Sequence, residues 1–190
     1  MPQFRRWGVA EQGFWRGWFT LPRVVTEGAD KLPRFQPHPQ LETLRKKAIP
    51  WGRKELTAPW TLPDAAETAW EILLEIPAQQ QTGGLLLQVG SCFALELTLA
   101  SRTLHAYARD SGEQTMQDCG TLQLAPGAPV RLQVFLDRCS AEIFADGKCL
   151  SVNVFDTAPL RPVSLIPQGG TLPLQLLQVW QLQHVMEPQT

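Results

Sequence analysis

From Trp70 onward, apolar residues recur at every second position in short runs. Trp70, Ile72, Leu74 and Ile76 alternate with Glu71, Leu73 and Glu75; Phe93, Leu95, Leu97 and Leu99 alternate with Ala94, Glu96 and Thr98. A period of two is that of an extended strand with one buried face. Leu132 to Leu150 reads LQVFLDRCSAEIFADGKCL, with Leu132, Val134 and Leu136 on one face and Arg131, Gln133 and Asp137 on the other. Asp146-Gly147 supplies the positive φ values of a two-residue hairpin turn, so this stretch reads as a three-stranded meander. Leu85 to Val89, Thr103 to Arg109, Thr121 to Leu124 and Leu177 to Met186 complete the strand set. Gly83-Gly84, Ser111-Gly112, Pro126-Gly127 and Gly169-Gly170 mark turns. Many short strands without a long helical pattern predict an all-β, two-sheet antiparallel β-sandwich of jelly-roll or concanavalin type over residues 51–190.

Two N-terminal regions precede it. Residues 1–25 hold Trp7, Phe14, Trp15, Trp18 and Phe19 and end in a strand entering a proline turn; residues 26–50 are polar and punctuated by Pro33, Pro37 and Pro39. Pro39 suits a first helical turn, Leu41 and Leu44 share one side, and Glu42 and Lys46 form an i,i+4 pair. The expectation is a linker with a short helix, its basic run Arg45-Lys46-Lys47 forming a solvated helix end.

Charge narrows the partners. With 17 basic and 18 acidic residues the formal net charge is −1, so no global field attracts nucleic acid. No apolar run is long enough to span a membrane and the N-terminus lacks a signal-like stretch, so the chain is expected in the cytoplasm. Cys92, Cys119, Cys139 and Cys149 form no CxxC pair, and His38, His105 and His184 are scattered. No metal site or cofactor is expected, and the thiols are expected reduced and partly buried, with Cys149 opposite Phe144 in the hairpin.

LQVFLDRCSAEIFADG resembles the C-terminal β-sandwich module of glycoside hydrolase family 32, the family of invertases, fructan hydrolases and sucrose-6-phosphate hydrolases. The family's strand, Asp-Arg-Ser-Ser-like turn, Val-Glu-Val-Phe-like strand and Asn/Asp-Gly turn correspond to Asp137, Arg138, Ser140, Glu142, Phe144, Asp146 and Gly147. Cys139 stands where the family usually has serine. WRGWFTLPRVV resembles the closing strand of the family's catalytic propeller, with its Leu-Pro-Arg. FQPHPQLETLRKK resembles the linker, with its Gln-x-Pro and Glu-x-Leu-Arg. The resemblance implies that the motif residues are structural and that residues 1–25 are a propeller remnant.

It also implies no catalytic residues here. The family's nucleophile, stabiliser and acid/base motifs reside on the propeller and none occurs in this sequence; Arg109-Asp110 is followed by Ser111 and reads as a turn. A retaining glycosidase needs two carboxyl groups about 5 Å apart. Glu71 and Glu75 lie about 13 Å apart along one strand and read as solvent-facing charges. The expected function is that of a non-catalytic accessory sandwich, structural or oligomerising. One alternative is a carbohydrate-binding module for fructan or sucrose, and another is half of a split glycosidase docking a separate propeller. Trp70 and Trp180 read as core, which leaves Trp51 and Trp60 as sugar-platform candidates. The aromatic N-terminal strand, without sheet neighbours, is expected to fold back or to pair with a second copy as a homodimer.

Overall fold

The computed structural model describes residues 20–51, 55–63, 69–109, 115–137, 140–153 and 162–183. Among these, strands are numbered in chain order. Two six-stranded antiparallel sheets dominate. The first runs β10 (Gln117–Gln123), β9 (Thr103–Ala108), β8 (Phe93–Thr98), β7 (Gly84–Val89), β14 (Val163–Gln168) and β5 (Trp60–Thr61). The second runs β13 (Lys148–Asn153), β12 (Ser140–Ala145), β11 (Val130–Leu136), β6 (Trp70–Ile76), β16 (Leu176–Leu182) and β3 (Arg45–Ile49). Two small ribbons flank them: β1 (Arg23–Glu27) with β2 (Pro33–Pro37), and β4 (Glu55–Leu56) with β15 (Leu172–Pro173). The expected all-β sandwich is the observed fold.

Register explains the core. Val179, Ile72, Val134, Ile143 and Leu150 face one another across five adjacent strands of the second sheet. Leu87, Leu95 and Ala106 do the same in the first. These rows meet in one apolar cluster together with Trp70, as the alternation of each strand requires. Asp146 and Gly147 have φ of 53° and 68°, the left-handed pair of the expected hairpin turn, and Cys149 does pair with Phe144.

Several expectations are corrected. Pro39–Leu44 is a 3₁₀ helix capped by the His38 imidazole, and the chain turns extended at Arg45. Arg45-Lys46-Lys47 is therefore no helix end: it opens β3, an edge strand pairing with β16, so the sandwich begins before Trp51. Strand pairing outweighs local helix preference here, because β3 closes the sheet over Val179 and Trp180. Residues 23–37, read as strand end and linker, form the β1–β2 hairpin. Cys92 is wholly buried, its thiol donating to the Val89 carbonyl at 3.1 Å, whereas Cys119 is exposed and Cys149 half-buried. The aromatic residues of 1–19, together with Asp110, Ser111, Gly112, Arg138, Cys139 and His184, lie outside the described residues.

Candidate functional site

The inner rows of the second sheet dictate its outer ones. If Ile143, Val134, Ile72 and Val179 point inward, their neighbours Glu142, Phe135, Glu71 and Trp180 must point outward. The register aligns these in a single row, Ser151–Glu142–Phe135–Glu71–Trp180–Ala48, across all six strands. A row holding two carboxylates would suit water, yet Glu71 is 0% exposed and Glu142 2%. The expectation of a solvent-facing Glu71 is corrected. Glu75, two repeats of the pleat away, stays half-buried beside Arg131 at 3.6 Å.

The N-terminal segment is what covers the row. Leu21 just before the hairpin, Phe35 within it and Leu41 and Leu44 of the 3₁₀ helix pack with Phe135, Phe144, Leu182 and Trp180 in a second apolar cluster, separate from the sandwich core. Burying a carboxylate without a counter-charge is strongly unfavourable, so each one needs a cation from the covering segment.

Arg45 serves Glu71. Its Nε and Nη2 donate to Glu71 Oε2 and Oε1, both at 2.8 Å, in the two-pronged geometry that suits a guanidinium best. The Gln133 amide donates to Glu71 Oε1 at 2.7 Å, and the Arg45 guanidinium lies 3.9 Å from the centre of the Trp180 ring. Hydrogen bonding to Glu71 holds the Arg45 pKa above its ordinary value. Trp180 is thus not sandwich core, as expected from sequence, but a half-buried platform for Arg45 on the outer face.

Arg23 serves Glu142. Its Nη2 donates to Glu142 Oε2 at 3.0 Å, and Ser151 Oγ donates to the same oxygen at 2.6 Å. The guanidinium carbon lies 5.8 Å from the Phe144 ring centre and 6.0 Å from that of Phe35. Cys149 approaches Glu142 at 3.7 Å, and burial pushes its thiol pKa up to about 11, so it stays protonated and unreactive.

The family-like motif converges on this place. Asp137 N–H donates to the Ser140 carbonyl at 2.9 Å, bridging the turn into β12. Glu142 and Phe144 hold the Arg23 side chain. Gly147 accepts the Phe35 N–H at 2.8 Å, and Asp146 accepts the Ala125 N–H at 2.8 Å. Sequence reading singled out the Leu-Pro-Arg, Glu-x-Leu-Arg and Glu-containing strand separately. What it missed is that their charged members, Arg23, Arg45 and Glu142, with Glu71, form two clamps. The signal was present as glutamates at outward positions of otherwise apolar strands.

Between the hairpin and the sheet runs an open groove of about 380 Å³, walled by Phe35, Phe135 and Phe144 and edged by Arg131, Gln133 and Asp146. Trp51 and Trp60 lie elsewhere. Their ring centres are 4.6 Å apart at 56°, and both are half-buried against the sandwich core, so they present no shared flat platform. Among the described residues no cluster of three or more His, Cys, Asp or Glu could hold a metal ion, and no helix is long and apolar enough to cross a membrane.

Comparison with known proteins places this geometry. The family model described as "Glycosyl hydrolases family 32 C terminal" matches residues 40–181, more than half of the chain. A raffinose invertase of Escherichia coli is 28% identical over 173 residues, covering 88% of this chain and 35% of the relative. The sucrose-6-phosphate hydrolase of Lactobacillus gasseri superposes with a TM-score of 0.62 at 17% identity, over 85% of this chain and 33% of that one. The exo-inulinase of Aspergillus awamori gives 0.61 at 15%, over 84% and 34%. At such identities the structures speak for the fold alone, and the chain spans about a third of the length of these proteins. The sandwich, its motif and the family match together show that the chain belongs to the C-terminal domain family of the family 32 glycosyl hydrolases.

Proposed function

We propose that this chain is a non-catalytic accessory sandwich of the family 32 type, whose task is to hold the N-terminal segment in a fixed orientation on its outer sheet face. The observation that carries the reading is the pair of arginine clamps, Arg45 on Glu71 and Arg23 on Glu142. A glycosidase carboxylate must meet both substrate and water. Here the two buried carboxylates of the face are each committed to an arginine, which suits bracing and not hydrolysis. In a longer protein, or with a separately encoded propeller, the same clamps would set the angle between that partner and the sandwich.

The test is limited proteolysis of the full chain under native conditions. Arg23→Ala leaves Glu142 uncompensated and removes the guanidinium between Phe35 and Phe144. Cleavage within residues 20–37 is expected to accelerate about tenfold or more, corresponding to roughly 1.5–3 kcal/mol for a charge-assisted hydrogen bond. Cleavage of the sandwich itself should change far less. Equal acceleration at both places would show that the segment is not separately clamped, and the bracing role would fall.

A second reading, carbohydrate binding, is favoured by the groove, since three aromatic walls beside an arginine, an amide and a carboxylate suit a neutral polyol. Saturable calorimetric binding of levan or inulin oligosaccharides is the expected result. Arg131→Ala, at a residue 60% exposed, should weaken it about tenfold. Loss in Trp51→Ala or Trp60→Ala instead would move the site to the tryptophan pair, and an absence of binding would dismiss the reading.

A further inference from the structure

The first turn of the 3₁₀ helix hangs on a single residue. Pro39 has no N–H, and the next two, those of Gln40 and Leu41, both end on His38. Gln40 N–H donates to the imidazole Nδ1 at 3.2 Å, and Leu41 N–H donates to the His38 carbonyl at 3.0 Å. His38 N–H in turn donates to the Pro22 carbonyl at 3.0 Å, where the chain enters the β1–β2 hairpin. One residue thus joins hairpin and helix. Beyond it, Leu41 seats the helix in the outer apolar cluster, and the Leu44 carbonyl accepts the Gln183 N–H at 2.7 Å. The helix ends at Arg45, the cation of the Glu71 clamp.

Serine, threonine and asparagine, the common helix caps, accept through an oxygen that gains no proton near neutral pH. A ring nitrogen differs. It accepts only while it carries no proton, and imidazole is the side chain that gains one between about pH 8 and about pH 5. Protonation turns Nδ1 from an acceptor into a donor, so that one N–H then faces another and the cap is lost.

The charged groups around the ring allow this change. His38 lines the groove with Glu42 of its own helix, Glu71 of β6, Arg131 of β11 and Asp146 of the turn after β12. The hairpin contributes Arg23, opposite Pro37, and Arg34. Each of these arginines already has a carboxylate: Glu142 for Arg23, Asp30 for Arg34 and Glu75 for Arg131. Glu71 is taken by Arg45. Asp146 and Glu42 are both exposed, the latter 3.4 Å from Arg45 Nη1, and both favour a positive charge in the groove.

We propose that His38 is a proton-operated latch on the N-terminal segment. The neutral imidazole caps the helix that delivers Arg45 to Glu71, and the protonated one releases it. The latch rests on the bracing role, because it acts on the segment that the clamps hold. Only the unprotonated ring makes the cap, so its contribution is present above the imidazole range and lost below it. The joint is firm at neutral pH and loosens in acid.

Hydrogen exchange of the full chain tests this, measured at about pH 7.5 and about pH 5.5 and expressed as protection relative to each amide's intrinsic rate. Protection of the Gln40 amide is expected to fall about fivefold at the lower pH, the loss typical of a missing cap. The Gln183 amide, bonded to the far end of the helix, should fall with it, while Val134 in the sandwich core should not change. His38→Asn keeps an acceptor that does not titrate and leaves His105 and His184 in place. Its Gln40 amide should be equally protected at both pH values. Three outcomes overturn the proposal. They are a wild-type Gln40 amide indifferent to pH, a fall that persists in His38→Asn, and a Gln183 amide that stays protected while Gln40 responds. Bracing is judged separately, at the higher pH, by proteolysis of Arg23→Ala, and its failure there would leave the pH response of Gln40 and Gln183 in place.

Discussion

Replacing Glu71 with alanine is expected to destabilise the protein by about 3 kcal/mol, the cost of breaking a buried ion pair by removing one member. The Arg45 charge would remain against Trp180 with the Gln133 amide beside it, both without the acceptor they share. Arg45 keeps some contact with water, which sets the figure at the lower end of the range for such deletions. For a domain of 190 residues this amounts to a melting temperature lowered by about 6–12 °C. The double replacement Arg45→Met with Glu71→Leu should recover most of the loss, since removing both charges leaves only the Gln133 amide without its acceptor. Urea and thermal melts of the three variants check this. A single-variant loss below about 1 kcal/mol would mean that this clamp is no stronger than a surface pair, and that Arg23–Glu142 and apolar packing hold the N-terminal segment without it.

Sequence periodicity made the sandwich legible because each strand's alternation is a local property that packing across the core preserves. β6, β8 and β11 stand where the pattern puts them. Glu71 and Glu75 could not be told apart in the same way, for they occupy equivalent outward positions on one strand. What separates them is the arrival of Arg45, 26 residues earlier in the chain, and Gln133, 62 residues later. The Arg23–Glu142 contact spans 119 residues. No local pattern reports contacts of that range, although the family-like motifs marked three of the four clamp residues individually. β14 escaped notice for a different reason. Pro167 interrupts its sequence, and proline is tolerated there because its backbone faces away from β7 toward the β5 side, where β5 pairs only with Ser164 and Leu165 and leaves no partner for an N–H.

Gly84 carries the second large effect, and it lies on the sheet remote from the clamps. Gly83-Gly84 reads as a turn, and Gly83 is one, but Gly84 is the first residue of β7, flanked by Thr98 of β8 and Gln168 of β14. A Cβ built on Gly84 would lie 2.0 Å from the Leu97 carbonyl oxygen, a backbone atom that cannot swing aside. Gly84→Ala must therefore push β8 out of register with its neighbours, at about 3 kcal/mol. Gly127→Ala is the comparison, because Gly127 also needs a positive φ, 73°, but has nothing within 4 Å of the added Cβ. Its cost should be the backbone term alone, about 1 kcal/mol. Denaturant midpoints of the two variants separate steric from conformational loss. The pair also sharpens the test of the clamps. Gly84→Ala weakens the sandwich as a whole, so protease should reach the hairpin and the strands together. Arg23→Ala should open the hairpin first. If both variants gave the same cleavage order, the N-terminal segment and the sandwich would form one cooperative unit, and the clamps would stabilise the fold without defining a separable joint.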